Sequence, residues 1–229
     1  MSSNINLYVQ TEYSLLSSLI RINDIPNLLK HLDYDCMAIC DDQMYGVIKF
    51  YDICVKNNIK PIIGQRVVFK YENFESVMLL YAMNNSGYEN LLKICSLKNL
   101  EKQSFNLQSL SSLTYGILCV IPGYENEIVK YYMNNSYQKA ISLLNEYKNL
   151  FKHVYLGVDF QRETTNTSNE QLISFAKSNG IKCVALNKTA YVNDSDVEVY
   201  KVLKSILLNN KNYILDDYEY KMSFLSNVE

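Results

Sequence analysis

The chain has 229 residues, of which 48% are hydrophobic and 20% are charged. This composition is typical of a globular protein and excludes a disordered or fibrous chain. Twenty-two Lys and Arg residues against 24 Asp and Glu residues leave a net charge of −2, which argues against a protein that binds nucleic acid through its own cationic surface. Two histidines are too few for a metal site built mainly from imidazole.

Strand-like and helix-like segments alternate along most of the sequence. Apolar and β-branched runs predict seven strands, at residues 5–9, 37–40, 61–69, 76–82, 115–121, 153–158 and 182–186. Helical periodicity and helix start and stop signals predict helices at 24–32, 47–56, 88–96, 125–133, 137–150, 170–178 and 194–208. Because parallel strands need crossover connections, the alternation predicts an α/β fold with parallel pairing, in a closed or nearly closed (β/α) barrel.

Residues 213–229 differ from the rest of the chain. They are polar and aromatic and show neither helical periodicity nor capping residues. We therefore expect one domain over residues 1–212, followed at 213–229 by a linker or the start of a next domain, and we expect the chain to be a piece of a longer protein.

The cysteines and the first residues bear on the cellular compartment. All six cysteines lie inside apolar runs and form no Cys-x-x-Cys pair, which is typical of reduced thiols in a protein core. The first ten residues lack the basic and apolar regions of a signal peptide, and no later stretch approaches the length of a membrane span. We predict a cytoplasmic protein with no membrane partner.

Three short motifs are the most specific in the chain: Thr-Glu-Tyr-Ser-Leu-Leu at 11–16, Met-Tyr-Gly at 44–46 and Lys-Pro-Ile-Ile-Gly at 60–64. These segments resemble the PHP domain (polymerase and histidinol phosphatase) of bacterial DNA polymerase III α subunits, of the type found in low-GC bacteria. Residues 87–92 and 180–191 also match, in the same order and spacing. The resemblance implies a distorted (β/α)7 barrel of the PHP type.

In active members of the resembling family, metal ions lie at the carboxyl ends of the barrel strands, where loops converge. The family's ligand positions fall here on Tyr8, Gln10, Asp41, Asp42, Arg66, Gln161, Lys188 and Ala190. Most of these positions no longer carry a side chain that ligates metal. The two positions that carry a cation, Arg66 and Lys188, oppose a divalent ion by charge repulsion. The resemblance thus implies a degenerate former metal site with no catalytic residue, no metal and no cofactor.

Charged residues remain among these positions. We expect Arg66 and Lys188 to form ion pairs with Glu12, Asp41 and Asp42, because a partly buried charge needs a partner. In the alternative, each of these charges faces solvent. In a further alternative, the three carboxylates hold one Mg²⁺, an ion that accepts few protein ligands.

Other residues that can carry chemistry have simpler interpretations. His31 and His153 each follow a lysine and are expected at the surface, and Cys36 and Cys40 are expected in the core. Tyrosines can stack on bases, but packing or interdomain contact better fits a sequence without Lys and Arg runs. The tyrosines concerned are Tyr131, Tyr132, Tyr213, Tyr218 and Tyr220.

The resemblance implies a role in DNA replication. The parent protein is then a DNA-directed DNA polymerase, a nucleotidyltransferase whose catalytic carboxylates lie in a palm domain outside this chain. We expect a non-catalytic structural and docking domain. Its expected partners are the remaining domains of the α subunit and a proofreading exonuclease or other replisome subunits, with DNA reached only through the parent protein. The alternative is a metal-dependent phosphoesterase or 3′–5′ proofreading nuclease with an unusual ligand set.

Overall fold

A computed structural model describes residues 5–32, 34–72, 74–101, 105–159 and 166–215 of the chain. The strands are β1 (Tyr8–Val9), β2 (Cys36–Asp41), β3 (Lys60–Tyr71), β4 (Phe74–Ala82), β5 (Ile117–Ile121), β6 (His153–Val158), β7 (Lys182–Ala185) and β8 (Lys188–Thr189). The helices are α1 (Ile25–Leu32), α2 (Val47–Lys56), α3 (Asn85–Leu100), α4 (Glu127–Met133), α5 (Tyr137–Leu150), α6 (Asn166–Ser178) and α7 (Val197–Leu207). All seven predicted strands are present, and the described residues contain an eighth, short strand.

The chain divides into two compact units. The first unit consists of residues 1–63 and 187–229, and the second consists of residues 64–186. In the first unit, β1 pairs in parallel with β8, and Tyr8 lies opposite Lys188. Strand β2 is buried along its whole length and neighbours β3, which begins in this unit. The parallel pair aligns the carboxyl ends of β1 and β8.

Helix α2 of the first unit begins and ends where the sequence predicts. Its buried side chains are Val47, Phe50 and Cys54. Tyr51 and Val55, each one residue further along the helix than Phe50 and Cys54, are 48% and 52% exposed. Each residue advances the helix by about 100°, so both lie beyond the edge of the buried stripe.

In the second unit, β3 to β7 are neighbours in chain order. The β5–β6 and β6–β7 pairs are parallel, as predicted. The β3–β4 and β4–β5 pairs are antiparallel, so the prediction of parallel pairing was wrong there. Only two residues connect Tyr71 to Phe74, which pair with each other across the strands, and a crossover needs many more. Strand β5 consequently runs in the direction of β3.

Local start and stop signals explain several helix ends. The side chain of Asn84 accepts a hydrogen bond from the Gly87 N–H and caps α3, which therefore starts before the predicted position. Helix α6 starts at Asn166, four residues before the predicted start at residue 170. Gly180 follows α6 with φ +67°, the left-handed conformation that ends a helix.

The sequence correctly predicts buried cysteines at five of six positions. Cys183, on β7, is exposed, so the prediction of a core thiol was wrong there. Strand β7 exposes three of its four residues, which explains how an apolar run can leave a thiol at the surface. None of the helices in the described residues is both long and apolar enough to cross a membrane.

The last described residues pack against other residues of the first unit. Leu215 belongs to a buried cluster with Ala190, Tyr191 and Tyr200, and Tyr213 packs against it. Residues 216–229, which include Tyr218 and Tyr220, lie outside the described residues. The predicted domain boundary after residue 212 stays a prediction.

Candidate functional site

Asp41 is the last residue of β2, and its side chain is 1% exposed. Its Oδ1 atom accepts hydrogen bonds from the Thr11 N–H at 2.6 Å and from the Ser14 hydroxyl at 2.7 Å. Its Oδ2 atom accepts a hydrogen bond from the Thr11 hydroxyl at 2.6 Å. Both oxygens of this buried carboxylate therefore bind groups from the segment that follows β1.

Turns and backbone hydrogen bonds hold the segment from Gln10 to Leu19 in place. Ser14 N–H donates to the Thr11 carbonyl, and Ser17 N–H donates to the Ser14 carbonyl, both at 2.9 Å. The segment is anchored to the residues around β8, because Gln10 N–H donates to Thr189 and Leu19 N–H donates to Ala190. This backbone geometry directs the Thr11 and Ser14 side chains toward Asp41.

Ser14 connects Asp41 to two neighbouring polar groups. Its hydroxyl oxygen accepts hydrogen bonds from the Asp42 N–H at 3.1 Å and from the Gln10 amide at 3.3 Å. The same Gln10 amide nitrogen lies 3.3 Å from Asp42 Oδ2. At a position where the resembling family places a metal ligand, Gln10 thus presents N–H donors to a carboxylate and a hydroxyl.

The electrostatics of Asp41 reflect its burial. Burial raises the pKa of Asp41, because the charged carboxylate loses hydration. The hydrogen bonds from Thr11 and Ser14 oppose this rise, and the nearby charge of Asp42 adds to it. The balance leaves the pKa of Asp41 above its ordinary value.

Lys188 and Ala190 complete the predicted positions that lie in the first unit. The Lys188 ammonium lies 5.5 Å from the ring centroid of Tyr8, within the range of a cation–π interaction. Ala190 is fully buried and contributes its backbone carbonyl, which accepts from Leu19 N–H. The ring of Tyr8 is buried as well.

Glu12 and Arg66 have ion-pair partners that the sequence did not predict. Glu12 accepts a hydrogen bond from Ile22 N–H at 2.9 Å and lies 3.6 Å from the Lys49 ammonium. Arg66 Nη2 lies 3.1 Å from Glu125 Oε2, in the second unit. Glu125 comes shortly after β5, so attention to residues following strand ends would have found it.

The predicted site residues have different contacts in the structure. Gln10, Asp41 and Asp42 share one hydrogen-bonded cluster with Thr11 and Ser14. The predicted ion-pair network stays a prediction, while Glu12 and Arg66 have the other partners described above. Gln161 lies outside the described residues.

Comparison with models of protein families identifies the family of this chain. Residues 6–163 match the model of the PHP domain. The chain belongs to the PHP domain family. This confirms the family suggested by the sequence motifs.

Curated relatives of this PHP domain are DNA polymerase subunits. It is 29% identical over 215 residues to DNA polymerase III subunit alpha of Bacillus subtilis (strain 168). The aligned region covers 91% of this chain and 19% of the relative. It is 27% identical to the subunit of the same name from Borreliella burgdorferi, covering 88% of this chain and 19% of the relative. The PHP domain thus spans about a fifth of the length of these relatives.

Solved structures share the fold of this PHP domain at very low sequence identity. An amidohydrolase from Chromobacterium violaceum, solved with bound SO4 and no metal, has a TM-score of 0.53 at 8% identity, over 82% of this chain and 88% of that one. A two-domain protein from Bacteroides vulgatus that contains a predicted PHP-like metal-dependent phosphoesterase has a TM-score of 0.51 at 7% identity, over 88% of this chain and 55% of that one. These similarities confirm the predicted α/β fold of the PHP type.

The side chains around Asp41 do not form a set of ligands for a divalent metal ion. Across the part of the chain that the structure describes, no three or more His, Cys, Asp and Glu side chains are grouped so that they can hold one. Around Asp41 the nearest polar groups are N–H and O–H donors that already bind the carboxylate. Glu12, a ligand in the Mg²⁺ alternative, is bound by Ile22 and Lys49.

Proposed function

We propose that this PHP domain performs no metal-dependent hydrolysis and serves DNA replication as a structural and docking domain of a DNA polymerase III α subunit. The observation that carries the proposal is the bonding of Asp41, whose two carboxylate oxygens receive three hydrogen bonds from Thr11 and Ser14. With these hydrogen bonds, the Asp41 carboxylate stabilises the fold around it. Three of the roughly four lone-pair positions of this carboxylate are already used by these hydrogen bonds.

The chemistry of phosphoester hydrolysis supports the same conclusion. A PHP-type hydrolase needs an ion to polarise the phosphoryl oxygen and to generate hydroxide. An ion that binds Asp41 through both carboxylate oxygens has to displace charge-assisted hydrogen bonds, each of which is worth about 1.5–3 kcal/mol. Gln10, on the same cluster, directs N–H groups toward Asp42 and Ser14, and an N–H group cannot ligate a cation.

The relatives support the docking role. Sequences named DNA polymerase III subunit alpha match this domain over about 90% of its length and extend far beyond it. The remaining parts of such a subunit are its proposed partners, together with a proofreading exonuclease or other replisome subunits. DNA synthesis and DNA contact are assigned to the parent protein in the cytoplasm. The isolated chain is not expected to extend a primer.

Metal binding to the full chain tests the catalytic half of this proposal. We expect millimolar Mg²⁺, Mn²⁺ or Zn²⁺ to leave its melting temperature unchanged, since a ligand that binds only the folded state raises this temperature. We also expect no hydrolysis of bis(p-nitrophenyl) phosphate or of single-stranded DNA. Stabilisation by Mn²⁺ that Asp41→Asn abolishes, accompanied by hydrolysis, would instead support the phosphoesterase or nuclease alternative.

Association with a polymerase tests the docking half. The partner is the DNA polymerase III α subunit of the same cell, purified without the region that matches this chain. We expect the full 229-residue chain to bind it in sedimentation or calorimetry. Failure to bind at the highest attainable concentration would contradict the docking role.

A further inference from the structure

Helix α7 has an apolar face that is more than half exposed among the described residues. Val199, Val202 and Ile206 are 54%, 59% and 58% exposed. Their spacing of three and four residues places them on one face of the helix; we call these three residues the α7 outer face. A surface helix normally directs charged and polar side chains to solvent, so this face departs from the usual pattern.

The opposite side of α7 is already covered by the chain itself. Tyr200 is buried, and its ring lies 5.0 Å from the ring of Tyr191, measured between centroids. Leu215 joins the same cluster. The described residues after α7, up to Leu215, therefore return along the inner side of the helix, and the outer face is exposed among the described residues.

More apolar surface follows in the same segment. Leu207, Leu208 and Ile214 are also exposed. The charged residues of α7 are engaged within the helix, because the Lys201 ammonium lies 2.7 Å from Glu198 and the Lys204 ammonium lies 5.7 Å from the Tyr200 ring centroid. A partner of the outer face is consequently recognised by apolar contact rather than by charge.

We propose that the α7 outer face is the surface by which this domain docks onto the remainder of a DNA polymerase III α subunit, against an apolar surface of that remainder. This inference rests on the proposed function and deepens it. The relatives argue for this occupant, because about four-fifths of their length lies outside the region that matches this chain. Exposed apolar patches of this kind mark protein interfaces, and interfaces between domains of one chain are commonly of moderate size.

The test uses the full chain and the α subunit purified without its matching region, after circular dichroism and thermal unfolding have shown that the shortened subunit is folded. Val202→Lys with Ile206→Lys places two cations on the outer face near the end of α7, where the helix dipole favours positive charge. The matched control is Tyr115→Lys, at an exposed aromatic residue of the second unit. We expect the dissociation constant to rise at least tenfold for the double variant and to stay unchanged for the control.

A milder double variant, Val202→Ser with Ile206→Ser, keeps the test valid if the lysine variant fails to fold; circular dichroism and thermal unfolding report folding in each case. Equal binding by a folded double variant and by the wild type would overturn the docking surface and leave the proposed function standing. No binding by the wild type would overturn both. Self-association of the wild type that the double variant loses, with unchanged binding to the polymerase, would assign the face to a second copy and overturn the proposal.

Discussion

Thr11 binds the carboxylate of Asp41 twice, with its backbone N–H 2.6 Å from Oδ1 and its hydroxyl 2.6 Å from Oδ2. The two residues are 30 positions apart in the chain, so the pair fastens the segment after β1 to the carboxyl end of β2. Both residues are almost fully buried. Water is therefore a poor substitute for either partner, and the cost of losing one hydrogen bond is large.

The Thr11 hydroxyl is expected to contribute measurably to stability. Thr11→Val keeps the shape but leaves Asp41 Oδ2 without this donor, which should lower the free energy of unfolding by about 1–3 kcal/mol. Thr11→Ser retains the hydroxyl and should lose much less. Urea unfolding of the full chain measures both changes. Equal losses for the two variants would show that the hydroxyl of Thr11 contributes nothing.

The buried carboxylate of Asp41 should make stability depend on pH. Its pKa in the folded chain is raised above the usual 3.8 by burial, so the folded state holds this proton more tightly than the unfolded state does. The contribution of Asp41 to the free energy of unfolding must therefore fall as the pH rises from the unfolded value through the raised value. Asp41→Asn removes the titration.

The measurement compares wild type and Asp41→Asn by urea unfolding at a series of pH values from acid to neutral. The difference between their free energies of unfolding should shift in favour of Asp41→Asn as the pH rises. A difference that is constant with pH would contradict the raised pKa of Asp41.

The ion pair between Arg66 and Glu125 should be worth more than a surface pair. Both side chains are largely shielded from solvent and their atoms lie 3.1 Å apart. Replacing Arg66 with Ala should lower the free energy of unfolding by about 1–2 kcal/mol, between the values for exposed and buried pairs. A double-mutant cycle with Glu125→Gln isolates the coupling.

The matched control for Arg66 is the exposed pair of Lys201 and Glu198, whose atoms lie 2.7 Å apart. Its coupling energy should be under about 0.5 kcal/mol despite the shorter distance, since solvent screens exposed charges. If the two pairs couple equally, partial burial adds nothing to the Arg66 interaction.

Substitution by Ala should lower the free energy of unfolding by different amounts at two glycines with positive φ, Gly116 and Gly180. A Cβ atom on Gly116, whose φ is +72°, would overlap the side chain of Asn84 and lie 2.8 Å from Gly87 N. A Cβ atom on Gly180, whose φ is +67°, would meet no atom within 4 Å. Gly180→Ala should therefore cost about 1 kcal/mol from the backbone conformation alone.

Gly116→Ala should cost about 3 kcal/mol, because overlap adds to the conformational cost. The overlap also disturbs the Asn84 cap of α3. Thermal and urea unfolding of the two variants, side by side, measure the difference. A Gly116→Ala protein as stable as Gly180→Ala would be inconsistent with the close approach of these backbones.

The exposure of Cys183 predicts selective thiol labelling. All six cysteines are free, and Cys183 is the exposed one. Burial raises the pKa of Cys54 to about 12 and also raises the pKa of Cys119 and of Cys183, so the expected difference in reactivity rests on the exposure of Cys183. Under native conditions, a maleimide should therefore label Cys183 first. Cys183→Ser should abolish this fast labelling, and rapid modification of Cys54 in the native protein would contradict the prediction.

The sequence by itself determined the α/β class, the family and several element bounds. Helices α2 and α5 and strand β6 begin and end where the residue pattern predicts, because periodicity and start and stop signals depend on near neighbours in the chain. The family follows from short motifs whose order along the chain requires no knowledge of contacts. The former ligand positions could be located in the same way.

Only the tertiary structure decided what those positions contact. Thr11 and Ser14 enclose Asp41, and Glu125, 59 positions along the chain, pairs with Arg66. The antiparallel direction of β4 and the exposed thiol of Cys183 were also beyond the residue pattern. The partner of a side chain, the direction of a strand and the exposure of a residue all depend on which distant segments of the chain come into contact. Local periodicity describes only near neighbours in the sequence, so it cannot predict these contacts.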